Sequence, residues 1–299
     1  MSNKIRFGIP KGSLEKATFD SFRKAGWQIS GSERSYMLQS NDTDVEFILL
    51  RPQAIPKVVE RSALDAGITG KDWIVESGAN VEEVMKMQYS KNTNGCVRWV
   101  LAVPVDSKIM QVSDLNYKVV STELVNVTTD FLIRNGVENV RVEFSWGTTE
   151  ILPSMGIADA IVDLTETGES LKKNNLRIVG NSVLESYTAL IANRLAYADP
   201  QKRQKIDNIA MLLKGALDAR DNVGLKMNVN KKDIDKILLI LKSNKMYGIN
   251  SPTIANLADP EWIAVEIIVK EDNVREIMPE LKNAGACGII EYSLNKFIT

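Results

Sequence analysis

At 299 residues, 44% hydrophobic and 25% charged, the chain is long enough to bury two or three hydrophobic cores. Lys+Arg 37 against Asp+Glu 38 leaves a net charge of -1, which excludes the broad positive field of a nucleic-acid binder and makes any anion recognition local. The chain has no histidine, so histidine-dependent triads, histidine-ligated zinc and imidazole acid–base chemistry are excluded as well.

The first elements alternate strand and helix, the pattern of an α/β lobe. Residues 5–10 read as a strand, followed at once by Lys11-Gly12-Ser13. Ser13 can cap a helix over 14–25 that gathers Leu14, Ala17, Phe22 and Ala25 on one face and stops at Gly26. A strand over 45–50 ends at Arg51-Pro52, and a helix over about 54–61 tolerates Pro56 in its first turn. Residues 64–70 form a short strand and glycine turn before a helix over 71–77. Ligand crevices of open α/β sheets lie at strand carboxyl ends, so Lys11, Arg51 and the Thr69-Gly70 turn are candidates for one crevice. For Arg51 a solvated strand end is the equal alternative, and Lys-Gly-Ser is also a common surface turn.

Strands are expected over 97–103, 118–121 and 141–144, with a helix over 127–135 stopped by Gly136 and a turn through Trp146 to Glu150. The most informative stretch is 156–171. Its apolar run carries Asp159 and Asp163, then opens into Thr165, Glu166, Thr167, Gly168, Glu169 and Ser170. A buried strand feeding a short helix through hydroxyls and a glycine offers backbone amides to a phosphate, and acids at the strand end suit a ribose diol or Mg²⁺ carried by a diphosphate. The plain alternative is an ordinary turn. A long strand over 183–192 returns to the first lobe, and Asp199-Pro200 opens a helix burying Ile206, Ile209, Leu213 and Leu217.

This order predicts lobe I from 1–94 with 184–219, lobe II from 95–183, and a third domain over 220–299. The last reads as strand 223–229, helix 231–242, strands 253–257 and 262–269, helix 272–284 and strand 286–292, a ferredoxin-like βαββαβ unit. It is read as regulatory or assembling, with a stabilising cap as the alternative. No apolar run approaches the ~20 residues of a membrane span, and residues 1–4 are too short for a signal peptide before the first strand. Cys96 and Cys287, far apart and without metal-ligand spacing, are expected as reduced thiols of a cytoplasmic protein.

The segments 9–14, 49–56, 64–70, 158–171 and 251–254, in this order and spacing, resemble the long form of ATP phosphoribosyltransferase, the first enzyme of histidine biosynthesis. The resemblance runs from Ile5 to about Ile298. It implies a two-lobed, periplasmic-binding-protein-like α/β core with a C-terminal ACT-like ferredoxin-like domain. It implies the substrates ATP and phosphoribosyl pyrophosphate, with Mg²⁺, and catalytic roles for Lys11, Arg51, Asp159 and Asp163. The loop from Asp163 through Ser170 would hold the 5-phosphate, Asp159 and Asp163 would sit near the ribose, and Lys11, Arg51, Asp65 and Gly70 would line the facing wall with Glu150 nearby. It further implies histidine as inhibitor, bound around Ser251 and Thr253, and a homo-oligomer passing from dimer to hexamer. The sequence departs from the family at Glu166 and Glu169, where small or hydroxyl residues are usual, and at Thr129-Asp130, where many relatives carry a basic pair. A two-lobed ligand-binding protein and a catalytically weak regulatory subunit are the rival readings.

Overall fold

The computed structural model describes residues 4–31, 35–87, 96–243 and 251–298. The chain forms two compact units, Met1–Phe19 with Gln28–Ala210, and Asp20–Trp27 with Met211–Thr299. The expected lobe boundary near residue 94 lies outside the described residues.

The first unit is built on strands β1 (Ile5–Pro10), β2 (Ile29–Ser30), β3 (Met37–Ser40), β4 (Val45–Leu50), β5 (Ala66–Gly70), β6 (Glu82–Met87), β7 (Cys96–Pro104), β8 (Val119–Thr122), β9 (Arg141–Phe144), β10 (Ala160–Thr165) and β11 (Leu176–Ala192). Its helices are α1 (Glu15–Ala25), α2 (Ile55–Glu60), α3 (Lys71–Ser77), α4 (Val125–Arg134), α5 (Glu169–Lys173), α6 (Arg194–Ala198) and α7 (Pro200–Asp218); the division between the units falls inside α1 and α7. The strands form one sheet in the order β2-β3-β4-β1-β5-β11-β7-β10-β8-β9, with β6 also paired to β11.

β11 organises this sheet. Its residues from Leu176 to Tyr187 pair antiparallel with β7, and those from Thr188 to Ala192 pair antiparallel with β5 and β6. Gly70, the last residue of β5, is opposite Thr188, and Cys96, the first of β7, is opposite Tyr187. β10 runs antiparallel to β7 and brings Thr165 opposite Arg98. β1 and β4 lie parallel with β5, and β8 and β9 parallel with β10. The carboxyl ends of these two parallel sets therefore approach the middle of β11 from opposite directions. β11 begins seven residues before the strand expected at 183, because Gly180 (φ +71°) and the register shifts between Ile178 and Leu184 break the alternation that the sequence pattern relies on.

Alternation in Val45–Leu50 buries Val45, Phe47 and Leu49 on one face. Helix α2 packs closely on the next pair of strands because Gly8 and Gly67 face each other across β1 and β5. A Cβ on Gly67 would lie 2.9 Å from Ile55 Cγ2 and 3.2 Å from the Gly8 carbonyl, and Ile55 is fully buried. Substituting Gly67 by Ala is expected to destabilise the protein by about 1–3 kcal/mol, the usual cost of overpacking a filled site, measurable as a lower denaturation midpoint in urea at unchanged m-value.

The second unit has the expected βαββαβ order: β12 (Asn222–Asn230), α8 (Ile234–Ser243), β13 (Thr253–Asn256), β14 (Trp262–Lys270), α9 (Glu271–Asn283) and β15 (Cys287–Ser293). Its antiparallel sheet runs β13-β14-β12-β15. One face of β12 and β14 buries Leu225, Met227, Val229, Val265 and Ile267 against Ile237 and Leu241 of α8 and Ile277 and Leu281 of α9. Among the described residues no helix is long and apolar enough to cross a membrane.

Candidate functional site

The carboxyl ends of β1, β4 and β5 supply one side of the site. Lys11 follows β1 and places its Nζ 5.4 Å from the centre of the Tyr36 ring. Gly12 adopts φ +106°, a backbone conformation that disfavours side chains, and Arg51 Nη1 passes 3.9 Å from where its Cβ would be. Lys11 and Arg51 thus sit together after adjacent strands. The Gly12 amide is already committed, donating to Glu15 Oε2 at 3.0 Å, so the Lys11-Gly12-Ser13 turn offers its lysine rather than this amide. Thr69 Oγ1 donates to the Pro52 carbonyl at 2.7 Å and ties the end of β5 to the Arg51 turn.

Gly70 is glycine for a definite reason: the Asp72 carboxylate folds back over it and occupies the space of a Cβ. Asp72 is buried, accepts from Trp99 Nε1 and from the Trp73 amide (both 2.9 Å), and its own amide donates to Ser186 Oγ at 3.1 Å. Burial pushes this carboxyl above its ordinary value against those hydrogen bonds. Asp72 thereby pins the Gly70 turn to β7 and β11. Sequence reading passed over it; the cue was an acid directly inside a helix that follows a glycine turn.

The carboxyl ends of β8, β9 and β10 supply the other side. Asp163 lies near the end of β10, its Oδ1 accepting from the Leu164 amide at 2.7 Å. Desolvation, with the nearby negative charges of Glu150 and Glu123, raises it from 3.8 to about 6. Glu123 follows β8 and accepts from the Gly147 amide at 3.2 Å. Glu150 is set by a buried hydroxyl pair, Ser145 Oγ and Thr149 Oγ1, 2.8 Å apart. The loop then closes on itself: Thr165 is buried and its Oγ1 accepts from the Gly168 amide at 2.8 Å, while Gly168 takes φ +81° at the start of α5. Glu166, Thr167, Glu169 and Ser170 are exposed around this turn.

Two expected residues lie elsewhere. Asp65 precedes β5, at its amino end, about 17 Å along the strand from Gly70 at the usual rise per residue. It is ion-paired with Lys202 at 2.7 Å and accepts from the Arg6 amide at 2.8 Å. Asp159 precedes β10, about 13 Å from Asp163 by the same rise, and holds Val119 N at 2.9 Å and Lys118 Nζ at 3.2 Å. Both bind the amino ends of neighbouring parallel strands and do not face the site. An acid before an apolar run marks the amino end of a buried strand, whereas one near the other end, as Asp163 is in β10, lies at the edge where open α/β sheets hold ligands. Ser251 and Thr253 are exposed in the second unit, Thr253 opening the edge strand β13.

No cluster of three or more acidic or cysteine ligands able to hold a metal ion by itself occurs among the described residues. Glu123 and Glu150 lie near enough to Asp163 to act on its charge without forming such a cluster. Because the fold favours the protonated form of Asp163, its contribution to stability falls as pH rises from 3.8 through about 6, and near pH 7 the site carries the carboxylate. A carboxyl-carbon NMR titration is expected to show Asp163 ionising near 6, and Glu150→Gln should move that midpoint downward by removing one of the opposing charges.

Comparison with known proteins gives a consistent result. A family profile described as ATP phosphoribosyltransferase matches residues 51–215, and one described as HisG, C-terminal domain, matches residues 219–296. The curated ATP phosphoribosyltransferase of Pelodictyon phaeoclathratiforme is 51% identical, covering 98% of this chain and 97% of its own length. That of Chlorobium phaeobacteroides is 50% identical, covering 100% and 99%. Among solved structures, the ATP phosphoribosyl transferase (HisG:HisZ) complex from Thermotoga maritima aligns with TM-score 0.60 and 25% identity over 70% of this chain and 98% of that one.

Proposed function

The chain belongs to the ATP phosphoribosyltransferase family, and on that premise we propose how its residues share the reaction. N1 of the adenine in ATP attacks C1 of phosphoribosyl pyrophosphate, the C1–oxygen bond to the diphosphate breaks, and phosphoribosyl-ATP and pyrophosphate result. This is the first step of histidine biosynthesis. Neutral adenine N1 already presents a lone pair, so no general base is required, in keeping with a chain that has no histidine.

The observation that carries the assignment is the meeting of two sets of strand ends at the middle of β11, one bearing Lys11 and Arg51, the other Asp163 and the Thr165 loop. Asp163 faces the ribosyl ring, where positive charge grows in the transition state. Thr165, Glu166, Thr167, Gly168, Glu169 and Ser170 form the seat of the 5-phosphate, with exposed hydroxyls at Thr167 and Ser170 as donors and the carboxylates of Glu166 and Glu169 turned from the anion. Lys11 and Arg51 neutralise the departing diphosphate, Gly70 allows its close approach, and Glu150 orients polar groups of the substrate. Mg²⁺ belongs to the same proposal: brought in on the diphosphate, it would neutralise charge there, with Asp163 as the carboxylate placed to meet it. The two-lobe division, with boundaries near 94 and 183, is supported by the change of β11 partners between Tyr187 and Thr188. A cytoplasmic setting accords with free thiols at Cys96 and Cys287.

Incubating the chain with ATP, phosphoribosyl pyrophosphate and Mg²⁺ should yield phosphoribosyl-ATP, and absence of product would overturn the proposal. Arg51→Ala and Asp163→Ala are expected to lower kcat by about 10²–10³-fold, as removal of a transition-state contact does, with unchanged circular dichroism. Asp65→Asn and Asp159→Asn should instead leave turnover near wild type while lowering the melting temperature, because their partners are structural.

Regulation completes the proposal. Histidine binds the second unit around Ser251 and Thr253 and favours a hexamer over a dimer. Adding histidine should lower the initial rate and raise the mass seen by light scattering; a rate indifferent to millimolar histidine would reject this part alone.

A further inference from the structure

We propose that Arg98, near the start of β7, is a further substrate-binding residue: its guanidinium holds the 5-phosphate of phosphoribosyl pyrophosphate and supplies the positive charge that the loop after β10 lacks. The inference rests on the transferase reading above and deepens it. The loop by itself is short of what a phosphate needs. From Asp163 to Ser170 it carries the carboxylates of Asp163, Glu166 and Glu169 and no lysine or arginine. The basic residues that follow, Lys172 and Lys173, stand in the last turn of α5. Two loop amides are also committed, Gly168 donating to Thr165 Oγ1 at 2.8 Å and Glu169 to Thr167 Oγ1 at 3.4 Å. A phosphate dianion seated among those carboxylates needs a cation within hydrogen-bond reach.

Strand register puts Arg98 in that place. β10 and β7 pair without a shift from Ile161 to Thr165, and Thr165 lies opposite Arg98. Directly opposed residues of antiparallel strands point to one face, with Cβ atoms about 4.5–5.5 Å apart. Side chains alternate along a strand, so Arg98 shares its face with Val100 and Ala102, and Thr165 shares the same face with Ile161 and Asp163. Packing identifies that face, because Val100, Ala102 and Ile161 are buried together with Leu171 of α5. Arg98 therefore stands on the side of the sheet that carries α5 and the loop leading into it. It is exposed, and with Val100 it borders a cavity of about 520 Å³, so the sheet is open to solvent next to α5. Glu185 lies opposite Arg98 on its other neighbour, β11, yet among the described residues the guanidinium has neither an ion pair nor a hydrogen bond. A guanidinium left unengaged can offer a phosphate two parallel N–H donors, a fork that an ammonium does not have.

Calorimetric titration of the full chain with Mg²⁺ and either phosphoribosyl pyrophosphate or pyrophosphate, without ATP, tests this. The second ligand keeps the diphosphate and lacks the sugar with its 5-phosphate. Arg98→Gln should bind phosphoribosyl pyrophosphate about 10- to 100-fold more weakly than wild type, the usual effect of losing a hydrogen bond between charged groups, and should bind pyrophosphate equally well. Arg98→Lys, which keeps the charge and loses the fork, should fall between the two, and it decides by the same comparison if Arg98→Gln does not fold. An unchanged affinity for phosphoribosyl pyrophosphate, as a mere partner of Glu185 would give, or an equal loss for both ligands, would overturn the inference. Wild type that makes phosphoribosyl-ATP beside an unimpaired Arg98→Gln loses only the Arg98 assignment. Wild type that binds neither ligand and makes no product loses the transferase reading, and this inference with it.

Discussion

The first unit depends on one exchange of backbone partners. Within two consecutive residues of β11, Tyr187 and Thr188, the strand passes from β7 to β5. Antiparallel pairing then dictates everything around it: β5 runs against β11, β7 runs against β11, and β10 runs against β7. Parallel neighbours extend each set, so two families of carboxyl ends point at one place. No side chain has to be recruited from a distance. Each candidate residue needs only to lie at or just beyond the end of its strand, as Lys11, Arg51 and Glu123 do after theirs and Asp163 does near the end of β10.

That arrangement brings opposite charges to bear on a chain whose net charge is only -1. Lys11 and Arg51 gather after adjacent strands, while Glu123 and Glu150 follow β8 and β9 and Asp163 lies near the end of β10, where burial first and the two neighbouring carboxylates second raise it to about 6. A site that carries uncompensated carboxylates at neutral pH is unfavourable to the empty protein and favourable to a ligand bringing positive charge, whether developing on a ribosyl ring or supplied by an ion. The strain is contained by neighbours already satisfied: Asp72 by Trp99 and Trp73, Thr165 by Gly168, Ser145 by Thr149. These contacts fix the turns without occupying the ligand-facing groups.

Local signals made most of this legible. Alternation exposed β4, a glycine turn exposed β5, and the run through Asp163 to Ser170 exposed β10 with its loop. What escaped was direction and competition. Nothing in composition says which end of a strand an acid occupies, but order does: Asp65 and Asp159 come before their apolar runs, and their partners are the amides and lysines of neighbouring strands. Similarly, a turn rich in amides does not say from sequence which of them are already taken, as the Gly12 amide is by Glu15 and the Gly168 amide by the Thr165 hydroxyl. The short β3 and β6 went unread because their residues are half-exposed and lack a clean apolar face.

The second unit follows a different logic, in which one sheet face is filled and the other is left for polar work. On the face turned from α8 and α9, Gly224 has no side chain because the Tyr292 ring, opposite it on β15, covers its Cα. The Tyr292 hydroxyl donates to Glu266 on β14, which pushes its ionisation up to about 12 and keeps it a neutral donor across the physiological range. Glu266 in turn stands opposite Lys226 on β12 and opposite Thr253 on β13. A polar row therefore crosses the sheet and ends at β13, which among the described residues has a strand on one side only.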